Sequence, residues 1–145
     1  MALDSTASVR WEGDLMSGSG TATLASGAAG PLAVDWKARA EDHGGKTSPE
    51  ELIAAAHASC FSMAFSARLA KAGAESIAID VQATATFVPG TGITGMTLRV
   101  SGDTGLDAER FAELADGVRA ACPADLQQLA QSLDKLAAEF LNAQQ

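Results

Sequence analysis

The sequence predicts an α+β fold, with antiparallel sheets arranged around one long central helix. The stretch from Thr47 to Gly73 has the composition of a single apolar helix. Segments on either side of it alternate apolar and polar residues in the way that strands do, and further helical patterns close the chain. Strands, a helix, a hairpin and then helices is the order of an α+β protein and not of alternating βα units.

Length and charge limit what kind of protein this is. A chain of 145 residues is expected to form one domain spanning residues 1–145. The net charge of −8 argues against a nucleic-acid partner, because phosphate binding needs clustered Lys and Arg. The absence of an apolar run of membrane-spanning length, and of a secretory leader, predicts a cytoplasmic protein that does not bind membranes. Two cysteines are too few for a disulfide framework.

Three strands are predicted before the central helix. Ala7–Trp11 and Gly20–Ser26 are short strand candidates bounded by glycine-rich turns. Leu32–Arg39 alternates well enough for a third strand, which would carry Arg39 at its far end. The polar segment Glu41–Lys46 is expected to be the loop that leads into the central helix.

The central helix is predicted from Pro49 to Ala72. Ser48 can cap it, Pro49 suits the first helical position, and Glu51 stands where a capping box needs an acidic residue. Gly73 stands where a left-handed cap ends a helix. Because the helix is apolar on nearly all sides, we expect it to be buried in the core, with a cysteine near its midpoint.

Beyond Gly73 the sequence predicts a β-hairpin. Apolar residues occupy every second position from Ile77 to Phe87, and polar residues fill the other face. Pro89–Gly92 has turn composition, and the returning strand carries Met96, Leu98 and Val100. The hairpin should therefore have one wet and one buried face.

Two helices are predicted after the hairpin. Asp107 opens the first, which presents an apolar stripe and ends before Cys122–Pro123, because the residue before a proline disfavours the helical region. The stripe consists of Phe111, Leu114, Val118 and Ala121. Leu126–Phe140 has apolar residues at spacings of three and four, which predicts an amphipathic helix.

The two cysteines are the first candidates for chemistry. A thiol with an ordinary pKa of ~8.5 needs a cationic neighbour to react well at neutral pH. Cys60 lies well beyond the first turn of its helix, so the helix dipole helps it little. Its candidate cations are Arg10, Lys37, Arg39, Lys46 and Arg68, of which Arg39 is favoured as the end of a strand leading toward the helix. Cys122 would end a helix, which suits a resolving cysteine, although both cysteines could equally be small core residues.

Glu50 is a candidate for positioning an arginine. Glu51 is occupied by the predicted capping box, which leaves Glu50 available to align a guanidinium through a bidentate pair. Ten residues along a helix is ~15 Å, so Glu50 cannot touch Cys60 of its own helix. A glutamate that shapes the cysteine site would have to act at a distance or come from a second subunit.

The histidines suggest weaker alternatives. His57 precedes Cys60 by three residues and so shares its helix face. With His43 and Cys122 it would complete a Cys2His2 zinc site, but the spacing matches no zinc motif and the prior is roughly one in twenty. A base for a cysteine hydrolase would need an oxyanion hole that nothing marks. A core or interface histidine is the favoured interpretation, and no cofactor or metal is predicted.

The central helix also carries a family resemblance. Pro49–Leu52 followed by Ala55–Ala64, which contains the letters AAHASCFSMA, resembles the signature helix of the OsmC/Ohr family of osmotically inducible and organic hydroperoxide resistance proteins. Trp11–Asp14 and Ala121–Pro123 match the family in order and spacing. The residues that flank Cys60 resemble the OsmC branch more than the Ohr branch.

The resemblance implies a thiol-dependent peroxidase that reduces organic hydroperoxides, and hydrogen peroxide less well. Cys60 matches the peroxidatic cysteine, Cys122 the resolving cysteine, Arg39 the active-site arginine and Glu50 its partner. It further implies an OsmC-like intertwined homodimer with sites at the interface. A thiol reductant, such as a dihydrolipoyl protein, would reduce the Cys60–Cys122 disulfide and restore both thiols.

One feature of the sequence departs from the family pattern, and one alternative function stays open. The family usually closes with a short strand after the second cysteine, whereas Leu126–Phe140 has a helical pattern. The alternative function is a non-catalytic OsmC-like dimer that binds an apolar ligand, with Cys60 and Cys122 serving as core residues.

Overall fold

The computed structural model describes residues 1–121. The predicted helix over residues 126–140 and the second cysteine therefore lie outside the described residues. The described elements, in chain order, are the strands β1 (Ala7–Glu12), β2 (Ser19–Leu24) and β3 (Leu32–Val34), the helices α1 (Trp36–Ala40) and α2 (Pro49–Lys71), the strands β4 (Ala78–Val88) and β5 (Gly92–Asp103), and the helix α3 (Ala108–Ala121). This order confirms the α+β prediction.

The chain divides into two compact units, Met1–Leu52 and Ile53–Gln145. The first unit holds β1, β2, β3, α1 and the first turn of α2. The second unit holds the rest of α2, the β4–β5 hairpin and α3. The expectation that residues 1–145 form one domain stays a prediction.

The first unit is built on a three-stranded antiparallel sheet in the order β1–β2–β3. Trp11 of β1 lies opposite Gly20 of β2, which in turn lies opposite Val34 of β3. A Cβ atom at Gly20 would lie 2.8 Å from the Trp11 ring and 2.9 Å from the Val34 side chain, so the tryptophan needs glycine there. The first two predicted strands are confirmed.

The third predicted strand is wrong beyond Val34. The strand ends there, and the chain turns at Asp35 into the short helix α1, which carries Arg39 in its last turn. The physical cause is a helix cap: the Asp35 side chain accepts a hydrogen bond from the Ala38 backbone N–H at 2.7 Å. The alternating pattern of Leu32–Arg39 hid this cap.

Helix α2 begins at Pro49 as predicted and ends at Lys71, one residue before the predicted end. Ser48 caps it, because its hydroxyl accepts a hydrogen bond from the Glu51 N–H at 3.2 Å. The reciprocal half of the capping box is replaced by a side-chain contact, in which the Thr47 hydroxyl donates to Glu51 Oε2 at 2.6 Å. Gly73 adopts a φ of 79° and terminates the helix as expected.

The core of the second unit is formed by one stripe of α2 and one stripe of α3. Its buried members are Phe61, Phe65, Leu69, Leu114 and Val118. The Phe65 ring contacts Phe111 edge-on with centroids 5.1 Å apart, and it lies 5.6 Å from the Phe61 ring. Burial of α2 is one-sided within a single chain, since Met63 on another face is 74% exposed.

The hairpin matches its prediction. Strands β4 and β5 pair antiparallel, with Val81 opposite Val100 and one irregularity between Thr86 and Phe87. Apolar residues near its open end pack on the α2–α3 core, namely Ile79, Val81, Leu98 and Val100. Helix α3 begins where expected, because Asp107 Oδ1 accepts from the Arg110 N–H at 2.8 Å.

The expectation that the chain has no apolar run of membrane-spanning length is wrong for α2. By length and composition α2 could cross a membrane, and it is the single such helix among residues 1–121. A helix in the core of a folded domain passes the same test. Here one face of α2 packs Phe61, Phe65 and Leu69 against its own unit, so the apolar length has a structural use.

Candidate active site

The most distinctive feature of the first unit is a buried ion pair between Arg39 and Glu50. Arg39 Nη2 lies 2.8 Å from Glu50 Oε1, and Arg39 Nε donates to the same oxygen at 2.9 Å. The two side chains are only 15% and 6% exposed. Helix α1 supplies the arginine from its last turn and α2 supplies the glutamate from its first, which confirms that Glu50 aligns an arginine.

The pair is not bidentate in the predicted sense, because one carboxylate oxygen takes both hydrogen bonds. Glu50 Oε2 is buried, and it has no hydrogen-bond partner among residues 1–121. Burying a carboxylate is costly unless it is paired, and Arg39 supplies the partner charge here. The guanidinium carbon of Arg39 also lies 6.0 Å from the centroid of the Trp36 ring, at the limit of a cation–π contact.

Cys60 lies in the second unit, on α2, immediately before the buried Phe61. It is a half-buried free thiol. The neighbouring hydroxyls of Ser59 and Ser62 donate to helix carbonyls one turn back, each at 2.7 Å. Those two hydroxyls are therefore engaged by the helix itself.

His57 lies one turn before Cys60 on the same helix. Its Nδ1 atom is buried and has no hydrogen-bond partner among the described residues. Desolvation by burial lowers the pKa of His57 below its ordinary value of 6.5. The ring is therefore neutral at pH 7, as the core interpretation requires.

Two of the other candidate cations, Arg10 and Lys46, form ion pairs of their own. Arg10 pairs with Glu12 on the exposed surface of β1, at 3.0 Å. Lys46 donates to Asp35 Oδ2 at 2.7 Å. Of the four candidates before the central helix, only Arg39 is paired with a buried carboxylate of residues 1–121.

Of the four predicted site residues, the structure brings Arg39 and Glu50 together in the first unit. Cys60 belongs to the second unit, and Cys122 lies outside the described residues. Among residues 1–121, no group of three or more His, Cys, Asp and Glu side chains is placed to hold a metal ion.

Sequence reasoning missed Asp35 as the cap of the helix that carries Arg39. Asp35 both caps the helix that carries Arg39 and binds Lys46. The hydrogen bond from Lys46, followed by the one from the Ala38 N–H, holds the pKa of Asp35 below its usual range. The available signal was an aspartate three residues before Ala38, the spacing at which a side chain can cap a helix.

These groups have a definite chemical capacity. A guanidinium fixed by a buried carboxylate presents its remaining N–H groups in a constant direction, which suits an anion or a developing oxyanion. A half-buried thiol on a packed helix can act as a nucleophile when such a cation faces it.

Comparison with known proteins agrees with this chemistry. Residues 42–132 match the model of the family described as OsmC-like protein. The chain is 36% identical over 127 residues to Peroxiredoxin OsmC of Escherichia coli (strain K12), which covers 85% of this chain and 88% of the relative. Peroxiredoxin OsmC of Shigella flexneri matches to the same extent.

Solved structures show the same fold. The organic hydroperoxide resistance protein OhrB of Bacillus subtilis superposes with a TM-score of 0.61 and is 26% identical, covering 81% of this chain and 86% of that one. An organic hydroperoxide resistance protein OsmC from Legionella pneumophila gives a TM-score of 0.54 at 25% identity, covering 85% and 88%. Both likenesses extend over most of each chain.

Proposed function

The chain belongs to the OsmC-like protein family, and on that premise we propose that it reduces organic hydroperoxides with Cys60 as the attacking thiol. Peroxidase activity follows from the 36% identity to a peroxiredoxin over most of both chains. Preference for organic over hydrogen peroxide is the finer step. It is supported by the likeness to organic hydroperoxide resistance proteins and by the apolar surroundings of α2.

The observation that carries the proposal is the buried Arg39–Glu50 pair. We assign Arg39 the role of the cation that keeps Cys60 as thiolate, in its own or in a partner subunit. An arginine remains charged at every relevant pH, and the glutamate restricts where its N–H groups point. The same N–H groups would stabilise negative charge that develops on the departing oxygen.

The proposed first step forms one bond and breaks one. The Cys60 thiolate attacks the outer oxygen of the hydroperoxide, so an S–O bond forms as the O–O bond breaks. The departing alkoxide takes a proton from water and leaves as an alcohol. Cys60 is then a sulfenic acid, and the peroxide has been reduced by two electrons.

The proposed second step regenerates the enzyme through Cys122. The Cys122 thiol attacks the sulfenic sulfur, which forms the Cys60–Cys122 disulfide and releases water. A dithiol reductant, for which a dihydrolipoyl protein is the candidate, then exchanges with the disulfide and restores both thiols. This step protects Cys60 from irreversible oxidation.

A homodimer is proposed as the working form. One face of α2 packs inside the second unit, whereas apolar side chains elsewhere on the helix are exposed in a single chain, including Leu52 at 37% and Met63 at 74%. An exposed apolar helix surface of this kind marks a protein–protein contact. A second copy of the chain would cover it.

The assignment is tested by comparing cysteine variants in hydroperoxide turnover. Cys60→Ser should abolish the reduction of cumene hydroperoxide, whereas Cys122→Ser should complete one turnover and then over-oxidise at Cys60. Full turnover by Cys60→Ser would refute the assignment. Steady turnover by Cys122→Ser with the dithiol would refute the resolving role while leaving the attacking role intact.

A further inference from the structure

A second ion pair, between Asp35 and Lys46, joins the two ends of the segment that carries Arg39. Helix α1 contains five residues, and a helix of that length has little stability of its own in water. Contacts at the two ends of the segment, which runs from Asp35 to Lys46, therefore help to hold α1 in place.

Asp35 makes two of those contacts with its two carboxylate oxygens. Oδ1 accepts the Ala38 N–H at 2.7 Å and so begins the helix. Oδ2 accepts from Lys46 Nζ at 2.7 Å and so ties the first residue of the segment to its last. The aspartate side chain is 17% exposed and the lysine side chain 41%, so the ion pair lies at the surface.

Backbone hydrogen bonds also bring the two ends of this segment together. Val34 and Thr47, the residues just outside the segment, form a parallel bridge, and the Thr47 N–H donates to the Ala33 carbonyl at 3.0 Å. The Lys46 N–H donates to the His43 carbonyl at 2.9 Å, which turns the loop back toward Asp35. Segment 35–46 is thus a closed loop with Arg39 on the side nearest Glu50.

We propose that Asp35 and Lys46 are positioning residues for Arg39 and that their ion pair sets how often the guanidinium occupies its place on Glu50. The proposal rests on the role assigned above to Arg39. When the Asp35–Lys46 contact is broken, α1 samples other positions and a smaller fraction of molecules holds the cation in place. The rate of Cys60 chemistry should fall with that fraction.

Lys46 is accessible to a clean test because it is the more exposed partner, at 41%. Lys46→Met removes the charge and keeps most of the side chain's length. Lys37→Met is the matched control, because Lys37 lies on α1 itself and is exposed. Two readouts are measured on the full chain: the rate of cumene hydroperoxide reduction, and the rate of Cys60 alkylation by iodoacetamide, located by peptide mapping.

We expect Lys46→Met to slow both rates about two- to fivefold, the range that a partly exposed ion pair supplies, and Lys37→Met to leave them unchanged. Lys46→Arg should restore the rates, because it restores the donor. Asp35→Asn, which keeps the capping oxygen but loses the charge, should behave like Lys46→Met.

The decisive arm repeats Lys46→Met in an Arg39→Met background. In that background Lys46→Met should no longer slow the alkylation of Cys60, because no guanidinium remains to be positioned. The same slowing with and without Arg39, or equal rates for Lys46→Met and Lys37→Met, would overturn the inference and leave the proposed function standing. If Arg39→Met itself leaves Cys60 reactivity unchanged, both the inference and the role of Arg39 fall.

Discussion

The two units of this chain are each stabilised internally by a different kind of interaction. Buried side chains in the first unit are small or polar, namely Ala22, Ala38, Ser48 and Glu50. The core of the second unit is aromatic and aliphatic, with Phe65 and Leu69 fully buried. The first unit therefore depends on directed hydrogen bonds and charges, and the second on apolar packing.

This difference matches the proposed division of labour. The cation that would activate the thiol belongs to the unit built from polar contacts, where one lost hydrogen bond can shift a charge without unfolding the chain. The thiol belongs to the packed unit, where Phe61 and Phe65 anchor the helix on which it lies. Substitutions of the buried polar side chains in the first unit should thus change chemistry as well as stability, and core substitutions in the second unit should mainly change stability.

The largest effect is expected from Phe65→Ala. Removing a fully buried phenylalanine from the α2–α3 core should lower the free energy of unfolding by about 3–5 kcal/mol. Val9→Ala in β1, where the side chain is 59% exposed, should change it by less than about 0.5 kcal/mol. Urea unfolding followed by circular dichroism measures both. A loss below about 1 kcal/mol for Phe65→Ala would contradict a packing-dominated second unit.

Next in size is Arg39→Met. It leaves Glu50 buried without its partner, so we expect a loss of about 3 kcal/mol together with a large loss of hydroperoxide reduction. Adding Glu50→Gln should recover much of the stability, because the uncompensated charge is gone, but none of the activity. Thermal unfolding and turnover of the single and double variants separate the two effects. Recovery of activity in the double variant would contradict the role of Arg39.

Smaller effects, of similar size, are expected at the two ends of α2. Ser48→Ala removes the cap on the Glu51 N–H in the first unit, which should lower stability by about 1 kcal/mol. Gly73→Ala places a side chain at a φ of 79° in the second unit, at a cost of about 1–2 kcal/mol. Thermal melts of both variants give the comparison. No change in either would show that flanking contacts, and not the caps, set the ends of the helix.

The smallest effect is a pH dependence from His57. Its pKa is lowered in the folded chain, so the unfolded state binds more protons as the pH falls through 6.5, and stability decreases in that range. The melting temperature of the wild type should fall slightly more than that of His57→Phe between about pH 7.5 and pH 5.5. His43→Phe, in an exposed loop, is the control. A steeper fall in His57→Phe would contradict a neutral buried ring.

Sequence patterns predicted the second unit better than the first. The bounds of α2, the hairpin and the start of α3 follow from local periodicity and caps such as Gly73 and Asp107, which one segment carries by itself. The α1 helix depends on a single cap at Asp35, which the alternating pattern around it concealed. The contact between Lys46 and Asp35 could not be predicted either, because it requires the loop that α1 creates.

One feature of the site could be predicted from the sequence, and another could not. That Glu50 aligns an arginine could be predicted, because Glu51 was assigned to the cap and Glu50 was left over. The use of one carboxylate oxygen for both arginine contacts, with the other left unpartnered among residues 1–121, could not, because it depends on how α1 and α2 meet. The one-sided burial of α2 was also hidden, since a uniformly apolar helix gives no sign of which face packs within its own chain.

The measurement that tests the central claim most directly is mass spectrometry of the reduced wild-type protein after one equivalent of cumene hydroperoxide. The proposed mechanism predicts the loss of two hydrogens from the chain and a peptide in which Cys60 and Cys122 are joined. In Cys122→Ser it predicts one added oxygen at Cys60. Unmodified thiols in folded protein, with the hydroperoxide unconsumed, would contradict it and would favour a dimer that only binds an apolar ligand.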